Sequence, residues 1–208
     1  MAYRVLIVDD QPISRHYFEG FVNATDRYEL AASVDTAKVA DVYCAGNRVD
    51  LILMDVVMKD GSNGLDAAAR IKASYPGIKI IIVTSMPDSV FLKRAREIGV
   101  ESFWYKEVEE EPMLDIMDRT MAGEHIFPDG PPVTTVGMAR STELTERELD
   151  VLRLLAEGMS DKEIGERLYL SVSTVRYHVN NLIMKTGSSS RTELAVSAVR
   201  SGIAIPGI

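Results

Sequence analysis

The chain has 208 residues, of which 46% are hydrophobic and 26% charged, and its formal net charge is −8. This composition is that of a globular protein long enough for two domains, and it excludes a disordered or fibrous chain. Three widely spaced histidines and one cysteine exclude a disulfide framework and indicate no zinc site. With no secretory signal and no apolar stretch of membrane-spanning length, we expect a cytoplasmic protein without a membrane partner.

Four apolar runs in the N-terminal half each end in a polar side chain. They comprise residues 5–8, 51–54, 79–83 and 102–105. Continuous apolar runs predict central strands of a parallel sheet with helices on both faces, which is an α/β fold. The polar residues that follow them are Asp9 and Asp10, Asp55, Thr84, and Lys106. Because ligands gather at the carboxyl ends of parallel strands, we expect these side chains to meet at one edge of the sheet.

Three carboxylates brought together at that edge would repel one another. Unit charges about 4 Å apart cost roughly 4 kcal/mol per pair at an effective dielectric of 20, so Asp9, Asp10 and Asp55 require a cation. Aspartate oxygens suit Mg²⁺, with Mn²⁺ as a substitute, and Mg²⁺ is commonly shared between one or two carboxylates and a phosphate. A phosphorylated aspartate would also meet the Thr84 hydroxyl and the Lys106 ammonium.

This order of residues resembles the receiver domain of response regulators over roughly residues 3 to 123. The resemblance implies a flavodoxin-like, doubly wound sheet of five parallel strands. It makes Asp55 the phosphoacceptor and Lys106 the family's lysine at the phosphoryl site. It also makes Thr84 the switch hydroxyl and Phe103 the switch aromatic residue.

By the same resemblance, Mg²⁺ is held by Asp10, Asp55 and the main-chain carbonyl of Val57, while Asp9 assists through water. A purely structural alternative exists for each polar residue. Either member of the acidic pair could cap the helix that begins near Pro12. The lysine after the fourth run could be a solvated side chain ahead of the acidic run 107–111, and the threonine a loop hydroxyl. Five suitable residues in the right order favour the phosphoryl site.

The loop after Asp55 departs from the receiver pattern. Lys59 stands where the family usually carries proline, and the loop that it opens is one residue longer than usual. Loss of the proline predicts added loop freedom and altered phosphoryl transfer with the chemistry retained. Val57 and Met86 occupy positions that by resemblance control water access, and both are apolar, which predicts a long-lived phosphoryl group.

Helix start signals dominate the C-terminal part. Capping boxes, in which Ser or Thr is followed three residues later by Glu, begin at Thr145 and Ser160. A third helix is expected from Ser171 to Lys185 and a fourth from Arg191 to Ser201. These elements predict a small, all-α, four-helix domain.

The segment from Leu144 to Arg200 resembles LuxR-type helix-turn-helix domains. The matching motifs are Leu-Thr-x-Arg-Glu, Leu-Leu-Ala-Glu-Gly, Lys-Glu-Ile and Ser-x-Ser-Thr-Val-Arg-x-His-Val. The resemblance implies that DNA is a partner and that the third helix is the recognition helix. On that helix it places Arg176, Tyr177 and Asn180 towards the major groove and Thr174, His178 and Lys185 nearer the phosphates.

Charge is distributed unevenly between the two parts. Residues 1–139 carry 14 Lys and Arg against 22 Asp and Glu, whereas residues 140–208 carry 9 of each kind. Between Arg167 and Thr192 there are four cations and no acid, which fits a phosphate-binding surface better than a solvated helix face. Four cations bind DNA weakly, so a homodimer is expected. The fourth helix either supplies that dimer contact or only covers the domain's own core.

Residues 124–140 are dense in Pro and Gly and predict a linker between a receiver, residues 1–123, and a helix-turn-helix domain, residues 141–208. The chain thus resembles NarL/FixJ-type bacterial response regulators, which are transcription factors and not enzymes. A sensor histidine kinase would phosphorylate Asp55, and phosphorylation would control dimerisation and exposure of the recognition helix. Homodimers are expected on phosphorylation or on DNA.

Three alternatives remain open at this point. The linker could be a plain tether without inhibition, or the receiver could be a dimerisation module that works without phosphorylation. The chain could instead be an aspartyl-phosphate phosphatase. That enzyme would need a general acid near the nucleophile and a substrate cap, whereas Val56 and Val57 follow Asp55.

Overall fold

The computed structural model describes residues 1–106 and 112–204, and the chain divides into two compact units after Pro131. The acidic run 107–111 lies outside the described residues. Within the described part of the chain, no helix has the length and apolar character needed to cross a membrane. The predicted linker is divided between the units, and the predicted domain limits stay a prediction.

The first unit alternates strands and helices along the chain. Its strands are β1 (Tyr3–Val8), β2 (Tyr28–Val34), β3 (Leu51–Met54), β4 (Lys79–Thr84) and β5 (Ser102–Tyr105). They form one parallel sheet in the order β2-β1-β3-β4-β5. Its helices are α1 (Pro12–Asn23), α2 (Ala40–Gly46), α3 (Gly64–Ser74), α4 (Ser89–Ile98) and α5 (Met113–Met121). The predicted doubly wound α/β fold is confirmed.

Two hydrophobic cores enclose the sheet, one on each face. Successive residues of a strand alternate between them, so that Leu6 packs in the core of α2, α3 and α4, and Ile7 packs in the core of α1 and α5. All residues of β3 are fully buried. Because helices cover both faces, the central strands have no polar alternation and appear as continuous apolar runs. The runs position the polar residues that follow them.

The second unit begins with a short antiparallel hairpin, β6 (Thr135–Val136) and β7 (Ala139–Arg140). Four helices follow, α6 (Glu146–Ala156), α7 (Asp161–Leu168), α8 (Val172–Thr186) and α9 (Arg191–Arg200). Both predicted capping boxes are present. The hairpin was not predicted. Its buried residues Val136 and Ala139 belong to the same core as the helices.

Helix α9 uses only part of its apolar surface within the second unit. Leu194 and Ala198 are fully buried, whereas Val196 and Val199 remain 44% and 40% exposed. The helix therefore covers the core of its own unit with one face and presents two valines on another. Both alternatives raised for this helix are compatible with that arrangement.

A close backbone approach fixes the start of α3 against the end of β3. A Cβ atom on Gly64 would lie 1.8 Å from the main-chain oxygen of Asp55 and 2.9 Å from Cγ of Met54. The Gly64 amide also donates a hydrogen bond to the Val56 carbonyl at 2.8 Å. Only glycine fits here, and the contact holds the backbone of Asp55 in place.

Gly64→Ala should therefore destabilise the first unit by about 3 kcal/mol, at the upper end of ordinary overpacking costs. Urea unfolding followed by the fluorescence of Trp104, the single tryptophan, reports on this unit. Gly77→Ala is the matched control, because a Cβ at Gly77 meets nothing within 4 Å. Equal stabilities of the two variants would contradict the close-contact explanation.

Candidate functional site

An acidic cluster lies at the carboxyl end of the first unit's sheet. Asp9 and Asp10 follow β1 and Asp55 follows β3, and one oxygen from each carboxylate lies within 4.8 Å of the others. Asp9 and Asp55 are buried, whereas Asp10 is partly exposed. Three hard oxygen donors at this spacing fit the ligand preference of Mg²⁺. The structure thus brings together the three carboxylates that were predicted to meet.

Lys106 lies between two of these carboxylates. Its Nζ donates hydrogen bonds to Oδ2 of Asp9 at 2.6 Å and to Oδ2 of Asp55 at 2.7 Å. The lysine side chain is only 10% exposed. Lys106 is therefore not a solvated surface lysine but a buried ammonium that offsets part of the acidic charge.

The other contacts of the acidic pair distinguish Asp9 from Asp10. Asp9 accepts hydrogen bonds from the Gln11 amide at 2.8 Å and from the Ser14 hydroxyl, so both of its oxygens are engaged. Asp10 accepts one from the Lys59 amide at 2.6 Å through Oδ2. Neither is the N-cap of α1, which is Gln11. Of the two, Asp10 has the carboxylate that is more available to a ligand.

The environment of Asp55 disfavours its charged form. The pKa of Asp55 is raised to about 6, chiefly by burial and to a smaller extent by the nearby Asp9 charge. The Lys106 ammonium and a hydrogen bond from the Val56 amide at 2.7 Å act in the opposite direction. At neutral pH Asp55 is mainly ionised and can act as a nucleophile, but its ionisation costs folding free energy.

Thr84 and Phe103, the predicted switch residues, lie on the adjacent strands β4 and β5. Thr84 is fully buried at the end of β4, and its hydroxyl oxygen accepts a hydrogen bond from the Met86 amide at 3.2 Å. That contact uses a lone pair and leaves the hydroxyl proton to donate elsewhere. Phe103 on β5 is 1% exposed and packs edge-to-face on Tyr105 with ring centroids 5.0 Å apart.

The loop after Asp55 is closed by hydrogen bonds, while the added freedom expected from the missing proline stays a prediction. Val57 pairs with Asn63 in antiparallel fashion, and the Met58 amide donates to Ser62 at 3.3 Å. Gly61 has a φ of 76°, which suits glycine in a tight turn. Backbone pairing thus replaces the constraint that proline would supply.

Asp60 ties this loop to the loop that follows β2. It accepts hydrogen bonds from the Thr36 hydroxyl at 2.8 Å and from the amide and hydroxyl of Ser62, and it pairs with Lys38 at 3.0 Å. These donors hold the pKa of Asp60 well below its usual range. The partners of Asp60 were not visible in the sequence.

In the second unit, α8 has an exposed polar surface. Arg176, Tyr177 and Asn180 are exposed there, as predicted for the groove-facing set, while Thr174 and His178 are half-buried. Tyr177 is 62% exposed and its ring contacts that of His178 edge-to-face, with centroids 5.6 Å apart. The expected set of six, which includes Lys185, therefore shares one helix and divides into four exposed and two half-buried residues.

Lys185 occupies a different environment from that predicted. Its Nζ donates to Oε2 of Glu148 at 2.7 Å and to the Glu143 carbonyl at 3.0 Å. The Glu148 side chain is only 5% exposed and also accepts a hydrogen bond from the Thr145 amide at 2.8 Å. Lys185 thus braces α8 against α6, so its charge is already paired within the unit.

An acid on α7 also reaches two of the three remaining cations of the predicted basic surface. Arg176 and Arg191 both pair with Asp161, the first residue of α7. The absence of acids between residues 167 and 192 therefore overstated the positive charge of this surface. Asp161 was missed because pairing across 15 and 30 residues leaves no local sequence signal.

Family comparisons agree with both units. Residues 5–118 match the response regulator receiver domain, and residues 142–198 match the luxR family of bacterial regulatory proteins. The chain is a LuxR-family response regulator. The regulator is 31% identical over 206 residues to response regulator protein VraR of Staphylococcus epidermidis, covering 95% of this chain and 97% of the relative. VraR of Staphylococcus aureus is 30% identical with the same coverage.

Solved structures share the fold of the regulator. RcsB of Salmonella typhimurium has a TM-score of 0.56 and 18% identity, covering 96% of the regulator and 98% of that chain. A structure of two RcsB dimers bound to two parallel DNAs has a TM-score of 0.60 and 19% identity with the same coverage. At these identities the likeness concerns the fold.

Asp55→Asn should stabilise the first unit in the presence of a chelator, by up to about 3 kcal/mol at neutral pH for a pKa shift of roughly two units. Because the folded-state pKa of Asp55 is raised, protonated Asp55 contributes its full stabilisation below pH 3.8. That stabilisation is lost as the pH rises through about 6. The gain should therefore shrink as pH falls from 7 to 4. Urea unfolding by Trp104 fluorescence measures it.

The exposed Asp26→Asn substitution is the control for this pH series and should give no comparable gain. A gain for Asp55→Asn that does not change with pH would show that the ionisation of Asp55 is not its cause.

Proposed function

We propose that the regulator is a DNA-binding transcription factor whose receiver accepts a phosphoryl group on Asp55 from a sensor histidine kinase. Phosphorylation would favour a homodimer and expose α8 to DNA. The observation that carries the proposal is the buried Asp55 carboxylate beside the Lys106 ammonium, in a cluster with two further carboxylates. Family membership supports the coarser assignment, that of a two-component response regulator.

The phosphoryl chemistry needs only a nucleophile and charge neutralisation. An Asp55 oxygen attacks phosphorus, the new P–O bond forms, and the P–N bond to the kinase histidine breaks. The electron pair of that bond stays on the imidazole nitrogen, which takes up a proton from solvent. Lys106 lies within 2.7 Å of Asp55 and would donate to a phosphoryl oxygen. No other covalent chemistry is proposed, so the function is regulatory.

The residues at this site fit Mg²⁺. Asp10, Asp55 and the Val57 carbonyl would hold the ion, and Asp9, whose oxygens already have partners, would act through water. Bound Mg²⁺ would supply positive charge to the phosphoryl oxygens. The Lys59 amide donates to Oδ2 of Asp10 and so orients that carboxylate, whose other oxygen stays available for a ligand.

Thr84 and Phe103 are proposed to convey phosphorylation to the rest of the receiver. The Thr84 hydroxyl keeps a proton to donate to a phosphoryl oxygen at the neighbouring strand end. Movement of Thr84 would change the space beside Phe103 on β5. This is a two-state mechanism in which the phosphoryl group favours one arrangement.

DNA recognition is assigned to the exposed surface of α8. Arg176, Tyr177 and Asn180 are proposed to face the major groove, with Thr174 and His178 nearer the phosphates. The structure gives Lys185 a bracing contact, so its proposed phosphate contact would require that pair to rearrange. A solved RcsB complex, a relative in fold, contains dimers on DNA.

Arg176, Lys185 and Arg191 are already paired with acids, so a single second unit should bind DNA weakly, which supports a dimer on DNA. The exposed valines of α9, Val196 and Val199, are the proposed contact surface. Residues 1–123 and 141–208 are proposed as the domains, with the intervening segment as linker. The receiver either inhibits the second unit or is only tethered to it, and DNA affinities of the whole chain and of the second unit alone distinguish these two cases.

Incubation with Mg²⁺ and a small phosphoryl donor should add one phosphoryl group, seen by intact mass, that is absent in Asp55→Ala. Light scattering should show dimers in the phosphorylated sample, and its DNA affinity should exceed that of the unphosphorylated protein. The DNA affinity of a fragment of residues 132–208, which keeps the hairpin that packs in the helical core, distinguishes an inhibitory receiver from a plain tether. Binding no tighter than that of the unphosphorylated chain would exclude inhibition.

Failure of phosphorylation in a folded protein that binds Mg²⁺ would favour the phosphorylation-independent alternative, provided that a cognate kinase also failed. Labelling of Asp55→Ala to the same extent would remove Asp55 as the acceptor.

Lys59→Pro should raise the Mg²⁺ concentration needed for half-maximal labelling about fivefold, because proline removes the amide that orients Asp10, a loss of about 1 kcal/mol. Lys59→Ala keeps that amide and is the matched control. Titration of the labelling rate with Mg²⁺ makes the measurement. Identical titrations and phosphoryl half-lives for Lys59→Pro and wild type would disprove a role for this loop.

A further inference from the structure

One carboxylate on α7 holds two arginines from two other helices. Oδ1 of Asp161 accepts a hydrogen bond from Nη1 of Arg191, the first residue of α9. Oδ2 accepts one from Nε of Arg176 on α8 at 3.2 Å. Nη2 of Arg191 donates to the Met159 carbonyl at 2.6 Å. Asp161 therefore has a fixed orientation, set by Arg191, before it meets Arg176.

We propose that Asp161 is a positioning residue that orients the Arg176 guanidinium for recognition of a guanine base. The inference rests on the proposed function, in which α8 enters the major groove of DNA. It goes beyond that function because Asp161 lies on α7 and belongs to none of the proposed DNA contacts.

The side of the guanidinium that Asp161 engages is the main support. The hydrogen bond uses Nε, so this contact with Asp161 does not occupy the end of the guanidinium that carries the two terminal nitrogens. The Arg176 side chain is 70% exposed despite this bond. Two parallel N–H groups are what a bidentate contact to O6 and N7 of guanine requires. Asp161 thus contacts Arg176 at Nε and does not cover the terminal nitrogens that would contact guanine.

The ion pair between Asp161 and Arg176 contributes more to the orientation of Arg176 than to the stability of the unit. An exposed arginine–carboxylate pair adds little to stability. A free arginine side chain, however, loses much rotamer entropy on binding. Because Asp161 is held by Arg191, it restricts Arg176 before DNA arrives. The restriction favours the geometry of one base contact over diffuse contact with phosphates.

The charge balance predicts a second effect of opposite sign. The carboxylate repels DNA phosphates, and the two arginines leave a net charge of only about +1 on this group of three. Removing the Asp161 charge should therefore strengthen binding to any DNA while weakening discrimination for the preferred guanine. A purely structural role for Asp161 would change stability and would not separate these two quantities.

The test uses the full-length chain and a randomised duplex library. Selection with the wild type gives a preferred site, and affinities are then measured for that site and for copies in which each guanine is replaced. Asp161→Asn should lose about tenfold of the discrimination at one guanine and bind the replaced sites more tightly. Glu166→Gln, which removes one exposed charge from the same helix, should alter general affinity alone.

Arg176→Lys keeps the positive charge but lacks the paired nitrogens. It should lose discrimination at the same guanine, and adding Asp161→Asn to it should cause no further loss. The single Arg176→Lys variant leaves the pair of Asp161 with Arg191 in place, so its loss of discrimination would not come from poor folding of α7. Thermal melting of every variant accompanies the binding data.

Two results would overturn the proposal. Undiminished discrimination in Asp161→Asn would show that Arg176 needs no positioning, and equal tightening on all sites would reduce Asp161 to a repulsive charge. Arg176→Ala distinguishes this failure from failure of the proposed function. If Arg176→Ala leaves affinity for every site unchanged, the assignment of Arg176 to DNA is itself wrong.

Discussion

Much of the first unit is organised around the ionised carboxylates at the end of its sheet. Asp55 is buried at the end of β3, where desolvation raises its pKa, and Lys106 offsets that cost by bonding to both Asp55 and Asp9. Strands β1 and β5 must end at the same edge of the sheet as β3, so that Asp9, Asp10 and Lys106 reach this cluster. Gly64 fixes the backbone on the other side through a contact that no larger residue tolerates. Burial of the Asp55 carboxylate therefore lowers the stability of the fold, and the same burial makes that carboxylate a reactive nucleophile.

The second unit is built on different physics. Its helices begin at Ser or Thr caps, and two cations of α8 are held by acids from neighbouring helices, Lys185 by Glu148 and Arg176 by Asp161. Such pairs contribute modestly to stability but fix side-chain directions on α8. The distribution of positive charge on that helix is therefore set by α6 and α7 as much as by its own sequence.

The sequence predicted what depends on local pattern. Continuous apolar runs located β1, β3, β4 and β5, and capping boxes located α6 and α7, because both signals lie within a few residues of the chain. Strand β2 carries no such run, since at the edge of the sheet only Tyr28 is buried. The partners of Lys185 and Asp161 were beyond prediction because each pair joins residues far apart in sequence. The closure of the loop after Asp55 is local, since Met58 bonds to Ser62 and Val57 pairs with Asn63, but it joins backbone groups that the side-chain pattern does not report.

The hairpin that precedes α6 bears on how such a chain could be recombined. Val136 and Ala139 are buried among the helices of the second unit, although they lie in a stretch whose composition is typical of a linker. A gene fusion that joined this unit to another receiver at residue 141 would discard part of its core. The smallest transferable module therefore begins near Pro132, ahead of the first recognisable helix motif.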